Sequence, residues 1–468
     1  MAKLNRKITV PHDTGARTHG GAMAAKIGPV ASLRRAVLST LLFEDQFYEN
    51  GVEQAERIRE LAFKVDPETL AEIAVEARRD HGLRHTPLAL LVALCRTGSG
   101  IPGLVADTIV KVCTRADQIT DLLALYRAVG NVKFSSQLKR GIARALQGFD
   151  TYQLSKYASV DGKEFTLRDA MFISHPRSEG DTRMATDFDG LANRKLRQVN
   201  TWERSSSAGA DMRAEFSRLL SDGKLGYLAL LRNIRKMEEV GVPRGLIVDA
   251  IKARKGARDV FPTQFYAAAC VSKAYADEIQ DAMLANIKAG KRLAGKTVVV
   301  VDISGSMNNP LAKMSNFTRY DATAILAGSL VAMCDDVAVY ATAGNDGHRR
   351  HATAKVAATP GFRMIETLKA MNVKLGHGGI FLRQCMDAVY EAEGNVDRVI
   401  VLTDEQDTDT NGSPIDARMV GERNYLINVA SHRNGIGYRK WTHVDGFTEG
   451  TLRWITAYEA ETENEYAE

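Results

Sequence analysis

The sequence predicts a mainly α domain over residues 1–295 followed by an α/β domain over residues 296–468. Three observations carry this reading. Up to about residue 290 apolar residues recur at helical spacing, with almost no strand-like run. From about residue 295, runs rich in Val, Ile and Tyr alternate with helical stretches, the pattern of a doubly wound parallel sheet. Charge divides at the same point: 45 Lys and Arg stand against 34 Asp and Glu in residues 1–295, and 17 against 23 in residues 296–468.

In chain order, "SLRRAVLSTLLF" sets Leu33, Val37, Leu41 and Leu42 on one helical face, and "PLALLVALC", "DLLALYRAV", "KRGIARAL" and "GYLALLRNIRKM" repeat that spacing. Asp66, Pro67 and Glu68 read as an N-cap, a first-turn proline and an acidic first turn, and Thr86 with Pro87 reads as the next N-cap. Helices this short cannot bury an apolar face alone. Stacked helical pairs of the solenoid kind are therefore expected, although no sequence period marks the repeats. In the second domain "TVVVV", "DVAVYAT", "DRVIVLT" and "YLINVA" read as strands, with helices near 319–334, 362–371, 380–392 and 415–422.

The 468-residue chain is 45% hydrophobic and 25% charged with a net charge of +5, an ordinary soluble composition. It opens on a polar, glycine-bearing stretch rather than a basic-then-apolar leader. Its longest apolar run, "ATAILAGSLVAMC" over 322–334, is too short to span a bilayer and is bracketed by Asp321 and Asp335. A cytoplasmic protein with no membrane partner is expected. The five cysteines, Cys95, Cys113, Cys270, Cys334 and Cys385, form no CxxC pair, so reduced core thiols are expected rather than disulfides or a zinc site. The basic first domain points to a polyanionic partner or to a solvated face.

The strongest chemical signal is "KTVVVVDISGSMNNP", residues 296–310. Val298 to Val301 have the composition of a strand buried on both faces, and the run stops at Asp302, Ser304 and Ser306. Asp404 follows "VIVLT" in the same way, and ligands of such sheets sit beyond the carboxyl ends of the strands. Two carboxylates and two hydroxyls are hard oxygen donors suited to Mg²⁺ or another divalent cation. A phosphohydrolase with Asp302 as nucleophile would call for a carboxylate where Ser304 stands, and "DISGSM" is not the GxSxG of a serine-hydrolase elbow. A hydroxyl-rich turn capping its own backbone is the structural alternative.

"DISGSM" together with "LTDE" resembles the metal-ion-dependent adhesion motif of von Willebrand factor A domains. "GARTHGGAMAAKIGPVASLRRAVLSTLLFEDQFYENG", "GLRHTPLALLVALC", "MFISHPRS", "KLGYLALLRNIRKM" and "YRKWTHVDGFTEGTLRWI" resemble, in order, bacterial members of the Ro autoantigen (TROVE domain) family. The resemblance implies a ring of HEAT-like helical repeats over 1–295, closed by a Rossmann-like von Willebrand factor A domain over 296–468 whose last segment packs back on the ring. It also implies a monomer without catalytic activity. Such a protein binds small Y-like noncoding RNA on a basic outer face and single-stranded 3′ ends of defective RNA in the ring, and works with an exoribonuclease such as polynucleotide phosphorylase.

"FISHPRS" matches His175 to a histidine implicated in Y RNA binding, and Lys156 to a nearby basic residue, with the spacing between them stretched by two. In "KFSSQLKRGIAR", Lys133, Lys139, Arg140 and Arg144 fall on or beside one helix with no intervening acid, which suits backbone phosphates. The run "IKARKGAR", 251–258, is another basic stripe for which the resemblance gives no role. The metal motif departs from the family pattern: "GHGGIF" puts Ile380 where a threonine ligand usually falls. Two functions from different classes follow. One is a non-catalytic RNA-binding protein of RNA quality control; the other is an adaptor in which the metal captures a carboxylate of a protein partner.

Overall fold

Helices begin where the sequence supplies partners for their first amides. Asp66 caps the helix that starts at Pro67, its carboxylate accepting from Thr69 N at 2.9 Å, and these hydrogen bonds hold its pKa below the ordinary carboxylate value. At the next helix the expected cap is displaced by one residue. His85 is the N-cap, its carbonyl accepting from Leu88 N at 3.0 Å, while Thr86 lies buried inside the first turn and caps nothing.

The computed structural model describes residues 15–39, 51–130, 133–158, 162–197, 211–310, 317–410, 417–430, 432, 435–437, 440–448 and 450–465. Leu33 and Val37 are buried as expected, and Leu41 and Leu42 lie outside the described residues. The chain separates into two compact units, Ala55–Ala208 and Met1–Gln54 with Gly209–Glu468. Every named strand starts at or after Leu293, close to the change of pattern at residue 295, while the helices before it divide between the two units.

The first helices are α1 (Pro29–Leu38), α2 (Gly51–Ala62), α3 (Pro67–Arg79), α4 (Thr86–Thr97), α5 (Leu104–Val112), α6 (Ala116–Ala128), α7 (Ser136–Gln147), α8 (Thr151–Tyr157), α9 (Leu167–Ser174) and α10 (Thr182–Ala192). Within the smaller unit α3 packs on α4 and α5, α4 on α6, α5 on α7 and α7 on α9, which is the stacking of helical pairs. The repeat is written in side-chain bonds rather than in identities. Arg84 meets Asp117 33 positions later, Gln137 donates to Ile101 O 36 positions earlier, and Thr151 donates to Asp187 36 positions later. Close stacking needs Gly141: a Cβ there would stand 2.9 Å from Ala106 Cα on α5.

The larger unit continues with α11 (Met212–Ser221), α12 (Tyr227–Glu239), α13 (Arg244–Ala253), α14 (Pro262–Val271) and α15 (Ala276–Lys288) before its sheet begins. Six strands follow, β1 (Leu293–Asp302), β2 (Cys334–Asn345), β3 (Arg350–Val356), β4 (Val396–Thr403), β5 (Gly421–Asn428) and β6 (Thr442–Asp445), in the order β3-β2-β1-β4-β5-β6. All neighbours are parallel except β3, which returns antiparallel to β2. The crossovers carry α16 (Arg319–Met333), α17 (Arg363–Leu375) and α18 (Leu382–Glu393), and α19 (Gly450–Glu465) follows β6. Val298 and Val300 share one core with Leu382, Met386 and Val389 of α18. Alternation turns Val299 and Val301 to the opposite face, where α16 packs on β1 and β4, so the sheet is covered on both sides.

Three expectations are corrected. No helix forms over 417–422, and 415–416 lie outside the described residues. Ala417 and Val420 imitate helical spacing, but both bury against the sheet core from an extended chain whose Val420 O accepts from Val396 N at 3.1 Å, and β5 starts at Gly421. The antiparallel edge strand β3 and the four-residue β6 were not anticipated. Of the five free cysteines four are buried, but Cys270 is exposed. Among the described residues no helix is long and apolar enough to cross a membrane.

The end of α18 is tied to the sheet by Glu393, which accepts from Lys296 Nζ at 2.8 Å, Lys355 Nζ at 2.7 Å and Tyr340 OH at 2.6 Å. Burial opposes its ionisation, but the two ammonium groups and the phenol outweigh this and hold its pKa at about 2. A carboxylate depressed on folding contributes stability that is present above its unfolded pKa and is lost as pH falls through that value toward 2. Glu393→Gln is therefore expected to lower the melting temperature at pH 7 and to flatten its decline between about pH 4.5 and 2. Thermal scans by circular dichroism over that range check it; parallel curves for the two proteins would remove Glu393 from the acid sensitivity.

Candidate functional site

The strand order reverses between β1 and β4, so the carboxyl ends of these neighbours form the switch point at which an open α/β sheet binds its ligands. Asp302 ends β1 and Asp404 follows β4 directly, and both are almost fully buried. Asp302 Oδ1 accepts from Ser304 N at 2.8 Å and Oδ2 from Thr403 Oγ1 at 2.6 Å, which fixes the carboxylate plane. The Ser304 and Ser306 hydroxyls stand 3.2 Å apart. Oxygen ligands at right angles around a small octahedral cation are separated by about 3 Å, so this spacing fits two donors on one ion. Burial first, and then the charge of Asp404, raise the Asp302 pKa to about 7. Asp302, Ser304 and Ser306 stand together at the end of β1, and Asp404 follows the neighbouring strand β4. Among the described residues no group of three His, Cys, Asp or Glu side chains has the arrangement of a metal cluster, so a cation here would rely on the serine hydroxyls and on water. Ile380 is buried and offers its carbonyl, which accepts from both Thr408 N and Thr408 Oγ1 at 2.9 Å.

The loop after β4 carries more acid than Asp404 alone. Glu405, Asp407 and Asp409 are all buried. Burial raises Asp407 to about 7, against the pull of the Leu382 and Asp409 amides that donate to it at 2.7 and 2.6 Å. Glu405 is treated in the opposite way: Arg35 of α1 pairs with it, and His443 Nε2 lies 3.2 Å from Oε1. The Arg35 charge first, with His443 beside it, overcomes the burial penalty and holds it at about 2. Around that pair the amino-terminal segment lies along the loop. Thr18 Oγ1 donates to Asp407 O at 2.6 Å, His19 N to Gln406 Oε1 at 2.7 Å and Ala25 N to Gly435 O at 2.8 Å, while Gln406 N donates to Asp404 Oδ1 at 3.1 Å. Gly435 and Gly437 are obligatory, because a Cβ on either would overlap the Glu405 carboxylate. The sequence reading of "SLRRAVLSTLLF" placed only its apolar residues and gave Arg35 no role; the acidic density of "TDEQDTD" was the available signal that a buried cation had to come from elsewhere.

The basic residues lie in the smaller unit. In α7, Leu138, Ile142, Ala145 and Leu146 face inward and leave Lys139, Arg140 and Arg144 exposed. Lys139 and Arg140 form no ion pair among the described residues, but Arg144 is bonded to Asp107 of α5, an acid that spacing along one helix could not reveal. Lys133 is exposed just before the helix, its carbonyl accepting from Tyr126 OH at 3.0 Å. His175 is the exposed left-handed residue, φ 50°, that ends α9. Gln147 Nε2 donates to Arg177 O at 2.8 Å, which sets the loop after His175 beside the carboxyl end of α7. Lys156 lies on α8, its ammonium 5.7 Å from the exposed Tyr152 ring. A second exposed ring, Phe172, carries the Arg168 guanidinium at 4.7 Å. These cation-capped aromatics were missed, since neither ring departs from ordinary helix composition.

Residues 187–325 match the family model of the TROVE domain. The match begins in α10 and runs through α11–α15 and β1 into α16, so it spans "DISGSM" as well as helices. The fold is similar to that of the crystal structure of the Deinococcus radiodurans Ro (RSR) protein, at 16% identity and a TM-score of 0.59, over 90% of this chain and 97% of that one. No curated protein matches. The resemblance to Ro proteins with a TROVE domain, read from the sequence motifs, is borne out by these two likenesses.

Because folding raises the Asp302 pKa, the folded protein holds a proton between about pH 4 and 7 that the unfolded chain has lost, and stability falls as pH rises across that window. Asp302→Asn is expected to abolish that slope and, at pH 8 without divalent ions, to raise the melting temperature by about 2–4 °C per kcal/mol of relieved repulsion and desolvation. The same variant should lose any Mg²⁺-dependent stabilisation. Thermal scans with chelator and with Mg²⁺ read both effects, and a variant less stable than the parent in chelator would mean that the carboxylate is held by a partner the site geometry does not include.

Proposed function

We propose that this protein is a non-catalytic RNA-binding protein of the Ro type. The observation that carries the reading is that the stacked helices expose Lys139 and Arg140, which form no ion pair among the described residues, together with the cation-capped rings Tyr152 and Phe172. Cations neutralise phosphates without reading sequence, and exposed rings stack bases of any identity. The TROVE domain and the Ro fold support the same reading.

In finer detail, Lys133, Lys139, Arg140 and Arg144 would meet the backbone of a Y-like noncoding RNA, with His175 and Lys156 beside them. Single-stranded 3′ ends of misfolded RNA would be a second ligand, passed to an exoribonuclease such as polynucleotide phosphorylase. The β-sheet would be a von Willebrand factor A domain holding Mg²⁺ or another divalent cation through Asp302, Ser304, Ser306 and Asp404. The ion would neutralise the carboxylate pair and leave a coordination position for a partner's oxygen. That edge is the observation favouring a second reading, an adaptor that grips a protein carboxylate; it requires no cationic face.

Filter binding over a salt series tests the proposal. Log affinity for RNA should fall linearly with log salt, and Lys139→Ala with Arg140→Ala should make the slope shallower by about one to two units. Phe172→Ala should weaken single-stranded RNA by about 1–3 kcal/mol with little change in slope. Unchanged affinity and slope in all these variants would sink the RNA face and leave the adaptor reading standing.

A further inference from the structure

The basic run "IKARKGAR" is not used by the RNA face. α13 ends inside it, Arg254 takes a left-handed conformation with φ 50°, and Lys255 Nζ donates to Gly223 O at 2.8 Å. Arg258, four positions on, instead lines a cavity of about 650 Å³ within the larger unit. Two further cations line the same cavity from distant parts of the chain, Lys291 after α15 and Arg453 in the first turn of α19. All three are exposed, so the mouth is open to solvent. No carboxylate lines the cavity among the described residues.

The neighbouring arginines show what is unusual here. Arg292 adjoins Lys291 in sequence yet is consumed by Asp335 at 2.8 Å, and Arg244 by Glu278 at 2.7 Å. Arg258, Lys291 and Arg453 have no ion pair among the described residues; the guanidinium of Arg453 rests 5.5 Å from the Phe261 ring centroid instead. Three like charges converging on a concavity without a counter-charge repel one another, and the arrangement is relieved when an anion enters. Two of the three are guanidiniums, whose paired donors match phosphate oxygens. The carboxyl end of α15 also faces the cavity through Ile287, and its carbonyl dipoles oppose an anion, so the attraction rests on the three side chains.

We infer that this cavity binds a phosphorylated nucleotide: Arg258, Lys291 and Arg453 take the phosphates, and the apolar wall of Met333 and Leu452 takes the base. The volume lies within the range of small-molecule sites, and three positive charges suit a di- or triphosphate better than a single phosphate ester. The inference stands independently of the RNA face, whose residues lie in the other unit. Two sources offer the same chemistry, a free nucleotide and the 5′-triphosphate end of an RNA strand.

Isothermal titration of the full chain tests it, with ADP, adenosine, inorganic pyrophosphate and a short RNA bearing either a 5′-triphosphate or a 5′-hydroxyl as probes. ADP should bind at one site and adenosine should bind at least about tenfold more weakly, as expected when hydrogen bonds to charged groups are lost. Arg258→Ala with Arg453→Ala should cost about tenfold or more in ADP affinity. Arg292→Ala, which removes an adjacent but paired cation, should leave that affinity unchanged. Binding of the triphosphate RNA alone, lost in the double variant, would uphold the phosphate site and name the RNA end as its source. The inference is overturned if none of the phosphate probes saturates, if adenosine binds as tightly as ADP, or if Arg292→Ala weakens ADP as much as the double variant. Matching thermal scans of the three proteins exclude unfolding as the cause of a loss.

Discussion

A guanidinium and a carboxylate removed from water together lose hydration that their attraction restores only if every remaining donor and acceptor is met. Arg35 and Glu405 each have partners beyond one another. Glu405 receives Arg35, the Gly437 amide at 2.7 Å and His443, and Arg35 also donates to the His432 carbonyl. Removing either partner would leave an uncompensated buried charge, typically a loss of about 3–5 kcal/mol. Because Glu405 lies between Asp404 and the Thr18–Asp407 contact, the pair anchors both the amino-terminal segment and the loop that carries the second site carboxylate.

The loop after β4 thus holds neighbouring acids in different states by giving them different neighbours. Glu405 stays ionised because the Arg35 guanidinium meets it, whereas Asp302 and Asp407 are driven toward protonation because burial and other carboxylates surround them. In the proposed cation site this division would keep the Glu405 charge on the Arg35 pair, while Asp302 would be relieved as a carboxylate by the arrival of a cation.

Most of the strands and the two carboxylate ends could be read from sequence because a strand buried on both faces leaves an unbroken apolar run that ends abruptly at a polar site, as Val298–Val301 and Asp302 do. The stacked helices were legible as helices but not as repeats, since Arg84–Asp117 and Gln137–Ile101 preserve a spacing without preserving a residue type. Strand β3 was hidden because an edge strand exposed on one side need not be apolar, and "RHATAKV" is not. The pairing of Arg35 with Glu405 and that of Arg144 with Asp107 were invisible for one reason. A charged side chain looks solvated in sequence until the fold brings its counter-charge from another element.

The amino-terminal segment has a consequence for the order in which the protein can assemble. Arg35 and Glu405 are separated by 370 positions, so on a ribosome the arginine is made long before the acid that neutralises it. The smaller unit, whose contacts close over tens of residues, can form as soon as it emerges. The larger unit is discontinuous and must keep α1, with two arginines destined for burial, in solution until the sheet is complete. Retaining charge on that helix is then useful in itself: an apolar substitute for Arg34 or Arg35 would expose a sticky surface throughout synthesis, whereas the guanidiniums keep the waiting segment hydrated until its acceptor appears.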